Sequence, residues 1–247
     1  IDDQYYEIIH TENFVSSTDS PLEAAKKGKG TSMWLAIESV KKKEADIVIS
    51  AGNTGALLVI SKLNLKMIDS IDKPALSALW PNKKGMSVVL DLGANIECNS
   101  KNLFDFSIMG ASLYTSLYPD EKPKVALLNI GSEELKGNEM IKETYKILND
   151  KQNKNYDFSG YIEGNELMNG NVNVIVSDGF TGNVALKTAE GTANFITSEL
   201  KQVMSGSIIG KISSLLNISN LKKFKKRLDP RLYNGAIFIG LDSPVVK

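Results

Sequence analysis

Cysteine is almost missing: Cys98 stands alone in 247 residues, so no internal disulfide can form. That poverty in thiols fits a reducing, cytoplasmic compartment. Histidine is as scarce, with His10 the single example. A Ser–His–Asp triad or a Cys–His pair therefore has only one histidine to draw on, and no metal-ligand spacing of His, Cys and Asp occurs, so neither a metal nor another cofactor is expected. No run of roughly 18 apolar residues exists, which excludes a helical membrane span in this sequence. Net charge of either sign is absent, because 29 basic and 29 acidic residues cancel. A whole-protein affinity for nucleic acid is thus not expected. Two nucleotide fingerprints are also lacking: no Gly-x-Gly-x-x-Gly follows a strand, and no Gly-x-x-x-x-Gly-Lys-Ser/Thr occurs.

What is present describes an ordinary globular chain, 42% hydrophobic and 23% charged. Short β-branched runs alternate with helical patterns. Strands are expected at Tyr5–Ile9, Asp46–Ser50, Ala75–Leu79, Ser87–Leu90, Lys124–Asn129, Asp157–Tyr161, Val172–Ser177 and Ala236–Ile239. Helices are expected at Thr31–Lys43, Gly55–Met67, Asn102–Leu117, Asn138–Asn149 and Glu163–Met168, with one long helical stretch beginning near Thr181. Such alternation predicts an α/β fold of three layers, α/β/α, around a largely parallel sheet. Ile47-Val48-Ile49 and Val174-Ile175-Val176 are continuous apolar runs, as strands covered on both faces require. One α/β domain over 1–247 is expected, with a helical, basic segment at about 199–231. A start at Ile1 beside an early strand, and an end at Pro244–Lys247, lead to the expectation of a fragment.

One local pattern recurs: an apolar strand, a turn of small residues with Asn, then a helix. It occurs at Ser50-Ala51-Gly52-Asn53-Thr54-Gly55-Ala56, at Asp91-Leu92-Gly93-Ala94-Asn95, at Asn129-Ile130-Gly131-Ser132-Glu133 with Lys136-Gly137-Asn138, and at Asp178-Gly179-Phe180-Thr181-Gly182-Asn183. In a parallel sheet such turns collect at the carboxyl ends of the strands, where these folds bind ligands. Glycine admits an anion close to backbone N–H groups, and a helix N-terminus adds free donors and partial positive charge. A phosphate-sized, hydrogen-bond-donating pocket follows. Each turn taken singly is equally well explained as a capped strand-to-helix joint.

These four segments, in this order and spacing, resemble the signatures of the bacterial acyl-ACP:phosphate acyltransferase family. Lys29-Gly30-Thr31-Ser32-Met33 is similar to that family's Lys-x-Ser-Ser-Met element, with Thr31 in place of the first Ser. Gly235-Ala236, Gly240-Leu241 and Pro244 resemble its late glycine-rich strand. The likeness runs from about His10 to Lys247. Two family elements have no counterpart in this sequence, an Asp-x-Met-Gly-Gly-Asp segment and a His-Gly segment.

The resemblance implies a fold like that of phosphotransacetylase and the isocitrate and isopropylmalate dehydrogenases. It implies transfer of an acyl group from acyl carrier protein to inorganic phosphate, and a homodimer. Phosphate is itself the nucleophile in such a reaction, so catalysis reduces to positioning and electrostatic stabilisation. Lys29, Lys136 and Lys187 are then candidates to neutralise phosphate, or else solvated surface lysines. Asn53, Asn95, Asn138 and Asn183 are candidate donors to phosphate or to the oxyanion. Asp178 orients a lysine, accepts a proton, or starts a turn. Ser32, Thr54, Gly55 and Thr181 bind phosphate from helix N-termini or serve as caps. The alternatives are a phosphotransacetylase using acyl-coenzyme A and a non-catalytic phosphate- or lipid-binding module.

Charge is uneven along the chain: Lys201 to Arg231 holds eight basic residues and one acid, Asp229. Ile208, Ile209, Ile212, Leu215 and Leu216 fall on one helical face just before Lys222-Lys223-Phe224-Lys225-Lys226-Arg227. An apolar face beside a cationic run suits a helix lying on an anionic membrane surface, so peripheral membrane association is expected. The other reading places the isoleucines in the core or in a dimer interface.

Overall fold

The computed structural model describes residues 6–150, 153–228 and 235–247, without the side chains of 208, 211, 225, 227 and 228. The chain divides into two compact units. One comprises the described residues up to Ser77 together with Gly235–Lys247, and the other those within Ala78–Asn234.

The first unit holds α1 (Pro21–Lys27), α2 (Ser32–Lys41), β1 (Val48–Ile49), α3 (Thr54–Asn64), the first three residues of β2 (Ala75–Pro81), β7 (Ile237–Ile239) and β8 (Val245–Val246). Its strands run in the order β1-β8-β7-β2. β1 lies parallel to β8, whereas β7 is antiparallel to both β8 and β2. Ile37, Leu57 and Ile60 on α2 and α3 are fully buried with Phe238 of β7 at the centre of this unit.

The second unit contains the rest of β2, then β3 (Met86–Leu90), α4 (Ser100–Leu117), β4 (Lys124–Asn129), α5 (Glu139–Asp150), β5 (Asp157–Glu163), β6 (Val174–Val176), α6 (Gly179–Ser205), α7 (Ile208–Leu216) and α8 (Ile218–Leu228). β2 and β3 form an antiparallel hairpin; beyond it β3, β6, β4 and β5 are all parallel. Val88–Leu90, Val125–Leu127 and Val174–Val176 are buried at every residue, so both faces of these strands are covered. A Cβ on Gly110 of α4 would stand 2.6 Å from Val174 and 2.9 Å from Leu90, so that helix lies directly on β3 and β6. Leu103, Phe106, Gly110 and Tyr114 recur at helical spacing on its buried face.

Several elements differ from the sequence reading. Residues 6–9 of the expected strand Tyr5–Ile9 join no strand among the described residues, and Tyr5 lies outside them; Ile8 and Ile9 are exposed rather than half-buried. Glu163–Met168 forms only a single 3-10 turn, Gly164–Glu166, after a longer β5. The long helical stretch is broken twice, at Gly206-Ser207 and at Asn217, because Gly206 ends α6 and the Ser207 hydroxyl caps α7 by accepting from the Gly210 N–H. α1 was not foreseen, although its capping box is written in Ser20 and Glu23 with Pro21 at the first turn.

At the amino ends of the parallel strands one network ties three elements. The Tyr114 hydroxyl donates to Glu121 at 2.6 Å and accepts from the Asn173 amide at 2.8 Å. Asn173 also accepts the Lys124 N–H through its side chain at 2.9 Å and the Val88 N–H through its carbonyl at 2.8 Å. Burial first, and then the Glu121 carboxylate, push the Tyr114 phenol up to about 12. A folded-state value above the usual 10 leaves stability intact below pH 10 and removes it as pH rises toward 12, since the unfolded chain ionises first. Urea denaturation between pH 9 and 12 is expected to show that loss, and Tyr114→Phe to show a shallower one.

Candidate functional site

The parallel register of β3, β6 and β4 sends three connections out of one sheet edge. Leu90 stands opposite Val176, and Val176 opposite Leu127. The chain therefore leaves that edge at Asp91, at Ser177 and after Asn129, and three of the four recurrent turns gather there.

The first of these turns is organised from inside. Asp91 is fully buried. Its carboxylate accepts from the N–H groups of Gly93, Ala94 and Asn95 at 3.2, 3.0 and 2.7 Å, and from the Asn95 side-chain amide at 2.8 Å. Donors that a glycine-rich turn offers to an external anion are here directed onto an internal one. Asn95, expected to face substrate, gives both its backbone and side-chain N–H to Asp91.

The second turn opens α6 against the first. The Gly179 N–H donates to the Asn95 carbonyl at 2.8 Å. Asp178 caps the helix, accepting from the Thr181 N–H at 2.8 Å and from its hydroxyl at 2.7 Å. The Gly182 N–H returns to the Asp178 carbonyl at 3.0 Å. This leaves the Phe180 N–H of the first turn without a partner among the described residues. Asn183 lies over Gly93, whose Cβ would be 3.5 Å away, and its amide likewise has no described partner. A helix N-terminus with one open N–H and one open amide is suited to an anion.

The third turn follows β4. The Asn129 amide donates to the carbonyls of Gly131 and Lys136 at 3.1 and 3.2 Å, closing the loop into a compact bend. Gly137 sits at φ +94°, where a Cβ would press on the Asn129 side chain at 2.5 Å, so only glycine fits. Lys136 is exposed and runs its stem over Gly131. Asn138 caps α5, accepting from Ile141 at 3.0 Å. Asp91 and Asn129, the two side chains that build these turns, were not among the expected site residues. Their signal is position: each is the first polar residue closing an apolar strand.

The remaining candidates lie in the first unit, along α6 and α7, or just before α4. Lys29 is exposed between α1 and α2. Thr31 caps α2, and Ser32 is exposed at its first turn, its N–H donating to the Asn13 carbonyl at 3.0 Å. Asn53 caps α3 through Ala56, while its amide donates to the carbonyls of Ser17 and Asp19 at 3.1 and 2.9 Å. Thr54 and Gly55 begin α3, with Gly55 against Pro21. Lys187 is ion-paired with Glu190 at 2.8 Å on the surface of α6. Cys98 points its thiol to the Asn95 carbonyl at 3.7 Å, and His10 is exposed ahead of α1. Ile209, Ile212, Leu215 and Leu216 are exposed along α7, whereas the Ile208 side chain lies outside the described residues.

Comparison with known proteins agrees with this architecture. A family model described as "Fatty acid synthesis protein" matches residues 2–247. The chain is 80% identical over 242 residues to the phosphate acyltransferase of Pelagibacter ubique (strain HTCC1062), covering 98% of this chain and 73% of that protein. It is 45% identical over 242 residues to the phosphate acyltransferase of Maricaulis maris (strain MCS10), covering 98% and 69%. Among solved structures it is similar to a phosphotransacetylase from Streptococcus pyogenes, with a TM-score of 0.57 and 16% identity over 90% of this chain and 65% of that one. A branched-chain phosphotransacylase from Enterococcus faecalis V583 gives a TM-score of 0.56 and 17% identity over 98% and 78%. These structural likenesses bear out the three-layer α/β/α fold with its mostly parallel strands.

The tightest joint at this edge is Gly182, where a Cβ would collide with the Asp91 carbonyl oxygen and stand 2.7 Å from the Ser177 hydroxyl. Gly182→Ala is expected to cost about 1–3 kcal/mol or more, as overpacking does. Equilibrium urea unfolding measures it.

Proposed function

This chain belongs to the fatty acid synthesis protein family, and we propose that it is a phosphate acyltransferase that moves a fatty acyl group from acyl carrier protein onto inorganic phosphate. The observation that carries this reading is the 80% identity to a phosphate acyltransferase over nearly the whole chain. The geometry supports it with an anion-accepting edge, and among the described residues neither Cys98 nor His10 stands with a catalytic partner there: the Cys98 thiol points to the Asn95 carbonyl and His10 is exposed ahead of α1.

In this reading an oxygen of phosphate attacks the thioester carbonyl. The C–O bond forms, a tetrahedral oxyanion develops, and the C–S bond then breaks. The carrier thiolate leaves and takes up a proton, and acyl phosphate remains. The Phe180 N–H and the Asn183 amide hold phosphate at the start of α6, where the helix dipole favours negative charge. Lys136, on the neighbouring loop, offsets charge as the oxyanion forms. Asp178 caps α6 and so fixes the first turn that carries these donors.

Two finer points belong to the same proposal. α6 buries only Gly179 and Gly182 among its 27 residues and leaves Phe195 and Val203 exposed, which suits a helix that pairs in a homodimer. α7 exposes Ile209, Ile212, Leu215 and Leu216 beside the lysines of α8, which suits peripheral contact with an anionic membrane. Among the described residues no helix is long and apolar enough to cross a membrane.

Full-length protein given palmitoyl-ACP and labelled phosphate is expected to release labelled acyl phosphate without an acyl-enzyme intermediate. Acetyl-CoA in place of the carrier thioester tests the phosphotransacetylase alternative. Asn183→Ala and Lys136→Ala are each expected to lower turnover by about 10²–10³-fold, as loss of one transition-state contact does, with unchanged thermal unfolding. Wild-type rates in both folded variants would remove these residues from the site. Vesicle sedimentation checks the membrane contact: wild type pellets with anionic liposomes at low salt, and Ile209→Glu/Leu216→Glu stays in solution.

A further inference from the structure

The edge that carries the anion donors also carries an apolar collar. Ile96, Ile130, Leu135 and Phe180 are exposed at 73%, 81%, 87% and 63%. A single exposed hydrophobic residue needs no explanation. These four, however, lie on the three connections that leave the carboxyl edge of β3, β6 and β4. The connections entering the opposite edge are made of Asn82-Lys83-Lys84-Gly85, Asp120-Glu121-Lys122 and Asn169-Gly170-Asn171. The most exposed large apolar side chain near them, Leu117, reaches only 46%. The carboxyl rim therefore carries the more exposed large apolar side chains, set among polar ones.

Two members of the collar are tied together by the backbone. Ile96 follows Asn95 and Phe180 follows Gly179, and the Gly179 N–H donates to the Asn95 carbonyl at 2.8 Å. Their side chains thus rise from adjacent points of the edge. Phe180 also bears the open N–H at the start of α6. In an acyl phosphate only the carbonyl carbon separates the phosphoryl oxygen from the first carbon of the alkyl chain. A surface that receives the anion at the Phe180 N–H meets that chain within a few bond lengths.

Resting on the acyl-transfer reading above, we propose that Ile96 and Phe180 are the acyl-chain contacts of this site and set its preference for long chains, with Ile130 and Leu135 extending the collar on the β4 side. The occupant is the alkyl chain of the thioester donor. Each methylene laid on the collar leaves water, so selectivity rises with chain length. These residues touch substrate without entering the chemistry.

The test is kcat/KM of the full-length enzyme for butyryl, octanoyl and palmitoyl thioesters of acyl carrier protein, in wild type, Ile96→Ser/Phe180→Ser and Phe180→Leu. The double variant is expected to lose about tenfold or more with the palmitoyl donor, progressively less with octanoyl and butyryl donors, and Phe180→Leu to recover most of the loss. Equal losses on all three donors, or none, overturn the assignment while leaving the reaction standing. Equal losses accompanied by a change of oligomeric state in sedimentation velocity overturn it in favour of a subunit interface. A wild type inactive with every donor overturns the acyl-transfer reading and this inference with it.

Discussion

The carboxyl edge of the second unit depends on one buried carboxylate. Asp91 has no exposure, and a charge in that position costs several kcal/mol unless it is fully hydrogen-bonded. It is satisfied by three consecutive backbone N–H groups and one side-chain amide, all from the turn that follows it. That demand curls the turn around the carboxylate and turns the Asn95 carbonyl outward, where it receives the Gly179 N–H. The Asp91 carbonyl in turn lies against Gly182. The register of α6 on the sheet thus follows from satisfying one acid. The same demand decides which donors are left for a ligand. In the first turn the Gly93, Ala94 and Asn95 N–H groups are taken up by Asp91, and the second turn leaves one backbone N–H and one amide open among the described residues.

This explains why the strand–turn–helix pattern was legible and the role of each asparagine was not. Apolar strands covered on both faces show as uninterrupted β-branched runs, and β4 matches its expected span, Lys124–Asn129, at both ends. The parallel arrangement of β3, β4 and β5 follows from α4 and α5 between them, whereas β6 is reached through a loop with a single 3-10 turn. An asparagine after a strand has one appearance in sequence and several fates in space. Asn53 and Asn138 cap helices, and Asn53 also binds carbonyls 34 and 36 residues away. Asn95 serves a buried acid four residues back. Asn183 alone lies over a glycine from another turn with its amide open. The deciding contacts are tertiary, and no local pattern encodes them.

The misplaced elements have local causes of a different kind. Tyr5–Ile9 has strand composition, but residues 6–9 join no strand of the described sheet, and strand composition without a ladder does not make a strand. The long stretch after Thr181 contains no proline, which favoured one continuous helix. Gly206, Ser207 and Asn217 nevertheless break it, because a glycine end followed by a serine cap stops one helix and starts another. Residues β1 and β8 amount to two each, too short for any periodic signal.

The two rims of the parallel strands differ in what they leave open. At the amino rim, Tyr114, Glu121 and Asn173 bond to one another and bind the starts of β3 and β4. At the carboxyl rim, unpaired donors and uncovered apolar side chains remain, a local cost that folded proteins accept where function requires it. α6 joins this rim to the distal helices, yet its first turn is held by contacts made within that turn and with the Asp91–Asn95 loop. These contacts fix the turn that carries the open Phe180 N–H and the Asn183 amide. In the proposed reading a second copy or a lipid surface engages the later part of α6, with α7 and α8, and the anion donors lie at the other end of that helix.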